Sequence, residues 1–311
     1  MAAATGGRRG VHLLSAGQRV GEACVVERPL GQGAYSEVYR VRHRILGRLA
    51  MKVFKRVGTF DETRRLLGEA VLLSQLGHPN VVRVFDAGTV PTRSGERGWF
   101  TMEYVAGGNL DDFRQSYTAG PVPVDDAVEV LVQVCAGLAV AHQEDPPVVH
   151  RDLTPWNILV GTGPRGLRAR IGDFGLARSV DPVSGLAPGD GTLAFMPPEA
   201  LRFGAGTSTA GDVYSVGVIA YLLLTDVLPY PDVALTTFGA ARRVAPVAPA
   251  RFNRAVDHGL ERIVLRALDP EPARRFRDAA ELGAELAAWQ RERSTGRATP
   301  DQAPPERRHT A

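Results

Sequence analysis

Along this sequence the spacing of apolar residues changes once, and that change limits the chain to folds in which a small sheet and a helical body lie apart. Up to about residue 105 the apolar residues come in short alternating runs: ACVVERPL (23–30), SEVYRVRH (36–43), RLAMKVFK (48–55), VVRVFDAG (81–88) and WFTMEYV (99–105). Period-2 alternation is the pattern of strands with one buried face. One stretch interrupts it, DETRRLLGEAVLLSQL (61–76), where Leu66, Ala70, Leu73 and Leu76 recur at helical spacing. After Gly107-Gly108 the period is helical. DDAVEVLVQVCAGLAVAHQ (125–143) sets Val128, Leu131, Val132, Cys135 and Leu138 on one broad face, with Asp125 or Asp126 expected to cap its start. AGDVYSVGVIAYLLLT (210–225) is apolar almost all round, which predicts a buried central helix. Two further helices are predicted over 255–268 and 278–290, separated by DPEPARRF (269–276). The expected class is α+β: a sheet-rich small lobe with one main helix, a glycine-containing hinge at 103–109, and a larger helical lobe. No repeat of solenoid period is present.

A chain of 311 residues, 44% apolar and 23% charged, can bury a substantial core as one large domain or two lobes. The ends read differently. Residues 1–17 are small, polar and Gly-rich, and 292–311 are Pro- and Arg-rich without periodicity, so both are expected to be mobile tails around a folded domain at 18–291, with the lobes meeting near 104–105. The net charge of +3 owes much to these Arg-rich ends and does not point to nucleic acid. Cys24 and Cys135 form no CxxC or zinc-type spacing and read as two buried thiols in a reducing compartment. There is no apolar stretch of signal-peptide character at the start. The longest apolar run, VYSVGVIAYLLL (213–224), is too short to span a bilayer, so the expectation is a cytoplasmic chain without membrane insertion.

Basic charge is carried by arginine everywhere except at Lys52 and Lys55. A compositional bias toward arginine would explain most of this. A compact ammonium differs chemically from a planar guanidinium fork, however, so a specific need at one of the two positions is the other reading. Just before them, LGQGAYSEVY (30–39) places Gly31 and Gly33 between two predicted strands, where glycine lets the backbone approach phosphate oxygens, or simply makes a hairpin turn. Further on, His150-Arg151-Asp152 is followed by Asn157 in VVHRDLTPWNILV (148–160), and Asp173-Phe174-Gly175 lies in IGDFGLA. Two carboxylates and an amide oxygen on loops beside apolar strands suit a hard divalent cation that shares its ligands with substrate phosphates.

In this order the motifs resemble those of protein kinases, over roughly residues 20–290: GQGAYSEV, AMK, GEA, HRDLTPWN, DFG and MPPE. HPNVV (78–82), MEYVAGGNL (102–110) and DVYSVGV (212–218) resemble in particular the bacterial Ser/Thr kinases of eukaryotic type. The resemblance implies a bilobal fold, ATP with Mg²⁺ (Mn²⁺ as the alternative), protein substrates, and transfer of the γ-phosphoryl group to Ser/Thr hydroxyls with autophosphorylation. It implies that Lys52 holds the α- and β-phosphates and pairs with Glu69. The loop of Leu30, Gly31, Gln32, Gly33, Ala34, Tyr35, Ser36 and Val38 would cover the phosphates. Val38, Ala50 and Leu159 would sandwich the adenine, which ordinary core packing would also explain, with Met102 as gatekeeper and the backbone of Glu103 and Val105 at the adenine edge. Asp152 would be the base, Asn157 and Asp173 the metal ligands, and Thr192 a partner of Asp152 as in Ser/Thr members. Glu199 would ion-pair with Arg275, and Asp212 would brace the catalytic loop. Lys55 is read as a solvated strand residue.

The sequence departs from the family pattern at Thr154, where Ser/Thr kinases usually carry a lysine, and at Ser36, where the third glycine of the loop would stand. Ser179, Ser184 and Thr192 are the hydroxyls available in 173–199, and Arg151 is placed to receive a phosphate there. A pseudokinase binding module and a small-molecule phosphotransferase are the competing readings. All five of Lys52, Glu69, Asp152, Asn157 and Asp173 are present against the first, and MPPE with its arginine against the second.

Overall fold

The structure, a computed structural model, describes residues 12–33, 36–55, 68, 71, 74–164, 166–174, 192–201, 208–230 and 246–297. Six antiparallel strands form the small-lobe sheet: β1 (Arg19–Val20), β2 (Cys24–Gln32), β3 (Ser36–His43), β4 (Gly47–Phe54), β5 (Val84–Thr92) and β6 (Gly95–Glu103), in the order β1-β2-β3-β4-β6-β5. The alternation read from sequence becomes two faces. Tyr39, Val41, Met51, Val53 and Trp99 pack on one with Val20, Cys24 and Val26. Ala50, Phe100 and Met102 pack on the other with Phe54 and Val82, and Val38 lies against them. The segment 61–76 is described only at Gly68, Val71 and Ser74 to Leu76, which are helical.

The first face is closed by the chain's own N-terminal segment, so the folded body begins before residue 18. Leu14 is buried in that cluster, and its N–H donates to the Tyr39 hydroxyl at 3.1 Å. The Leu13 N–H and the His12 ring bond the buried Glu37 carboxylate, as does the Tyr39 hydroxyl. Burial pulls the Glu37 carboxyl upward, but these bonds, that from Tyr39 foremost, outweigh it and hold the group below its ordinary range.

In the larger lobe the helices are α1 (Leu110–Gln115), α2 (Val124–His142), α3 (Thr209–Thr225), α4 (His258–Ala267) and α5 (Ala279–Arg297), with a two-stranded ribbon of β7 (Ile158–Gly163) and β8 (Gly166–Ile171). α2 is not capped by Asp125 or Asp126 as expected. It starts one residue earlier, after Pro123, with no side-chain cap, and both carboxylates fall in its first turn, where they suit the positive end of the helix dipole. They serve other elements instead: Asp126 accepts from Tyr117 at 3.0 Å and Asp125 from Arg293 at 3.0 Å. α3 is buried from Gly211 to Thr225, as its unbroken apolar sequence predicts. Its approach to α4 depends on Gly217, where a β-carbon would stand 2.9 Å from that of Ala267. α5 runs past the helix end expected at 290 and the domain end expected at 291, because Arg293 pairs with Asp125 and Asp257. Both cysteines are buried, and burial pushes the Cys135 thiol up to about 12. Between the lobes, a β-carbon on Gly107 would lie 2.0 Å from the Val160 carbonyl oxygen, so the connection rests directly on β7 and admits only glycine there.

Candidate active site

Strand register assembles one wall. Val38 on β3 stands opposite Lys52 on β4, which stands opposite Phe100 on β6; in the next row Ala50 stands opposite Met102. Lys52 is 7% exposed, with its ammonium 5.9 and 5.7 Å from the Phe54 and Phe100 ring centres. Its Nζ lies 2.7 Å from Asp173 Oδ1, joining residues 121 apart in sequence. Leu159, on β7, packs against the Ala50, Phe100 and Met102 cluster from the opposite lobe. Leu30 sits at the rim, 36% exposed.

Above the cleft, β2 ends at Gln32 and Gly33 N–H closes on the Ser36 carbonyl at 2.8 Å, a hairpin as its sequence position between strands requires. Lys55 is not merely solvated. It lies just beyond β4 and donates from Nζ to the Gly33 carbonyl at 2.7 Å, tying the glycine loop to the strand that carries Lys52. Ala34, Tyr35 and Glu69 lie outside the described residues, as do Ser179, Ser184 and the side chain of Thr192.

The opposite wall is a loop held by α3. Asp212, 2% exposed in the first turn of α3, accepts the N–H groups of His150 at 2.7 Å and Arg151 at 3.0 Å. A third donor comes from His142 at the end of α2: its Nδ1 accepts the Ala279 N–H at 3.2 Å, so Nε2 bears the hydrogen and donates to Asp212 at 3.0 Å. A buried carboxylate is tolerable only with its lone pairs satisfied in this way. Nothing in the motifs pointed to His142. Arg151, thus held, takes φ +69°, a left-handed turn that directs the chain into Asp152.

Asn157 joins the two functional loops. Its amide nitrogen donates to the Asp152 carbonyl at 2.7 Å, and its own carbonyl accepts the Gly172 N–H at 2.9 Å, one residue before Asp173. Asn157 is thereby tied to both Asp152 and the residue that precedes Asp173. His150 completes the arrangement: Nε2 bonds the Gly172 carbonyl at 3.0 Å and the ring packs 4.7 Å from buried Phe174. With Phe174 fixed in the core and Asp173 at φ +54°, the carboxylate turns into the cleft. Thr154 is 3% exposed, so no side chain reaches the cleft mouth from that position.

Beneath this loop Arg275 and Glu199 form a bidentate pair at 2.7 and 2.8 Å. The guanidinium, 3% exposed, also donates to the carbonyls of Asp269, Ala210 and Pro270 and lies 4.8 Å from the Tyr214 ring centre.

A two-lobed body with a lysine, two aspartates and an asparagine converging between the lobes has the architecture of a phosphotransferase cleft. Residues 24–277 match the family model of the protein kinase domain, and the chain belongs to this family. It is 37% identical over 279 residues to the serine/threonine-protein kinase pkn2 of Myxococcus xanthus, covering 85% of this chain and 32% of that protein. It is 33% identical over 264 residues to the serine/threonine-protein kinase PknB of Mycobacterium leprae, covering 83% of this chain and 41% of that protein. The chain therefore spans well under half the length of these curated relatives. Among solved structures, the PknI kinase domain of Mycobacterium tuberculosis superposes with a TM-score of 0.66 at 25% identity, over 88% of this chain and 99% of that one. Members of the family use ATP and a divalent metal.

Proposed function

We propose that this domain transfers the γ-phosphoryl group of Mg-ATP to serine and threonine hydroxyls of protein substrates, itself among them. The observation that carries the reading is the 2.7 Å Lys52–Asp173 contact, with Asn157 bridging the Asp152 carbonyl and the Gly172 N–H next to Asp173. Among the described residues no three His, Cys, Asp or Glu side chains form a metal cluster. A cation would be held by Asn157 and Asp173 and otherwise by phosphate, with Mg²⁺ favoured by the all-oxygen donors and Mn²⁺ the alternative. Such a cation supplies neutralisation of charge on the phosphates.

The chain's own residues would do the rest. Lys52 would hold the α- and β-phosphates, with Glu69 as its further partner, and the Gly31–Val38 loop would cover them. Val38, Ala50, Leu159 and Met102 would enclose the adenine. Its edge would meet the Glu103 carbonyl and Val105, since the Glu103 N–H is bonded to the Arg83 carbonyl at 2.9 Å. Asp152 would accept or orient the hydroxyl proton, and Thr192, which opens a short turn to Phe195, would set the Ser/Thr acceptor against it. The names of the relatives, both serine/threonine-protein kinases, support that specificity. No helix among the described residues is long and apolar enough to cross a membrane, and a cytoplasmic setting belongs to the same reading.

The test is incorporation of labelled phosphate from Mg-ATP into the chain and a generic protein, followed by phosphoamino-acid analysis. Phosphoserine and phosphothreonine are expected, with Asp152→Asn lowering the rate about 10² to 10⁴-fold. Phosphotyrosine as the main product would overturn the specificity. Thr154 favours one second reading, a nucleotide-binding module without transfer; tight nucleotide binding with incorporation no higher than that of Asp152→Asn would establish it.

A further inference from the structure

The register of the small-lobe sheet sets arginines directly opposite one another. Arg28 on β2 faces Arg40 on β3, and Arg42 on β3 faces Arg48 on β4. Residues opposed in antiparallel strands project from one face. Arg40 shares its row with Ala50 and Met102, so the arginines extend the cleft-side face of Val38 and Lys52 outward into solvent. Glu27, in the β-bulge between Val26 and Arg28, lies among them. Its Oε2 takes Arg40 Nε at 2.6 Å, its Oε1 takes Arg42 at 2.7 Å, and Arg48 stands off at 3.9 Å. The side chains of Arg42 and Arg48 are 69% and 62% exposed. Among the described residues Arg28 donates to the carbonyl of Pro29, at 3.3 Å. Like charges directly opposite in a sheet repel, and a single carboxylate does not neutralise four guanidinium groups.

We propose that this face docks an acidic, extended segment of a protein partner. The guanidinium fork matches a carboxylate bidentately. The two arginine rows are two residues apart along β3, about 7 Å, which is the separation of alternate side chains in an extended chain. The matching ligand therefore carries Asp or Glu at alternate positions. Two rows of cations two residues apart favour this ligand over nucleic acid, since among the described residues only Tyr104 brings an aromatic ring against them, 5.9 Å from Arg40 Cζ. The surface lies outside the phosphotransfer residues, so the proposal stands or falls independently of the activity.

The experiment uses the full chain and a fluorescein-labelled peptide of alternating Glu and Ala, which has no hydroxyl to phosphorylate, read by fluorescence anisotropy at low salt. Saturable binding is expected, weakening with added salt, and about tenfold weaker in Arg42→Glu/Arg48→Glu. Arg48→Glu alone, which breaks no close contact, is expected to lose part of the affinity with an unchanged melting curve. Arg262→Glu/Arg274→Glu makes the same change in net charge at exposed positions on the large lobe and is expected to bind within about twofold of the parent. Absence of saturable binding, or equal losses in the two double variants, would overturn the proposal. So would a single-stranded oligonucleotide of equal charge that binds more tightly and loses more on the Arg42/Arg48 reversal, since that result assigns the face to nucleic acid.

Discussion

Arg275 directs all five of its N–H donors at oxygen, two at Glu199 and three at backbone carbonyls. Removing it strands a mostly buried carboxylate and three carbonyls at once. Arg275→Ala is therefore expected to lower stability by about 3–5 kcal/mol in urea unfolding, and an unchanged midpoint would contradict the assignment. Lys52 makes the opposite point, because there the shape of the cation matters more than its charge. It occupies a narrow gap between the Phe54 and Phe100 rings and Asp173, which a planar fork does not enter without displacing one of them. Lys52→Arg is expected to reduce incorporation of phosphate about a hundredfold, the scale of a 1 Å misplacement, while leaving the melting temperature close to that of the parent. The scarcity of lysine singles out Lys52, but at Lys55, read as a solvated strand residue, no periodicity reveals that its partner is a carbonyl in the preceding hairpin.

Among the elements, α3 and α4 meet where α3 lacks a side chain. Gly217→Ala would bring a methyl group 2.9 Å from the Ala267 methyl and 3.2 Å from its carbonyl carbon, so the helices must part, at a cost of about 1–3 kcal/mol measurable by thermal unfolding. At the start of α5, Asp278 accepts the Glu281 N–H and pairs with Arg277, each at 3.0 Å. Burial acts to raise the Asp278 carboxyl, but the Glu281 N–H and Arg277 outweigh it and hold it below its ordinary value. A depressed folded-state pKa contributes stability above the unfolded value of about 4 and loses it as pH falls through the folded value. Asp278→Ala is expected to cost about 1 kcal/mol at neutral pH, and the gap to the parent should close as the solution is acidified below the carboxylate range. β2, β3 and α2 followed from apolar period because each has one dominant buried face, and α3 followed from an apolar run buried all round. The start of α2 did not, because Asp125 and Asp126 serve neighbours distant in sequence, and capping rules see only local partners.

For the molecule as a whole, ligand binding and folding are linked. Mg-ATP at a hundredfold its Kd is expected to stabilise the domain by about 2.7 kcal/mol, and Asp173→Asn, which tolerates the same left-handed backbone, should remove the metal-dependent part of the melting shift. The motifs made the membership of the cleft readable, since Lys52, Asp152, Asn157 and Asp173 announce themselves in short patterns. Much of what holds them was not readable, because it consists of single hydrogen bonds between residues far apart in sequence, such as His150 to Asp212 and Ala279 to His142. That wiring has a temporal consequence. A ribosome-bound chain displays Lys52, Asp152, Asn157 and Asp173 by position 173, yet the His142 ring that donates to Asp212 takes its other hydrogen bond from an amide at position 279, and Glu199 waits for Arg275. Nascent chains halted before about residue 279 should therefore be silent, with competence arriving abruptly once α5 emerges and docks.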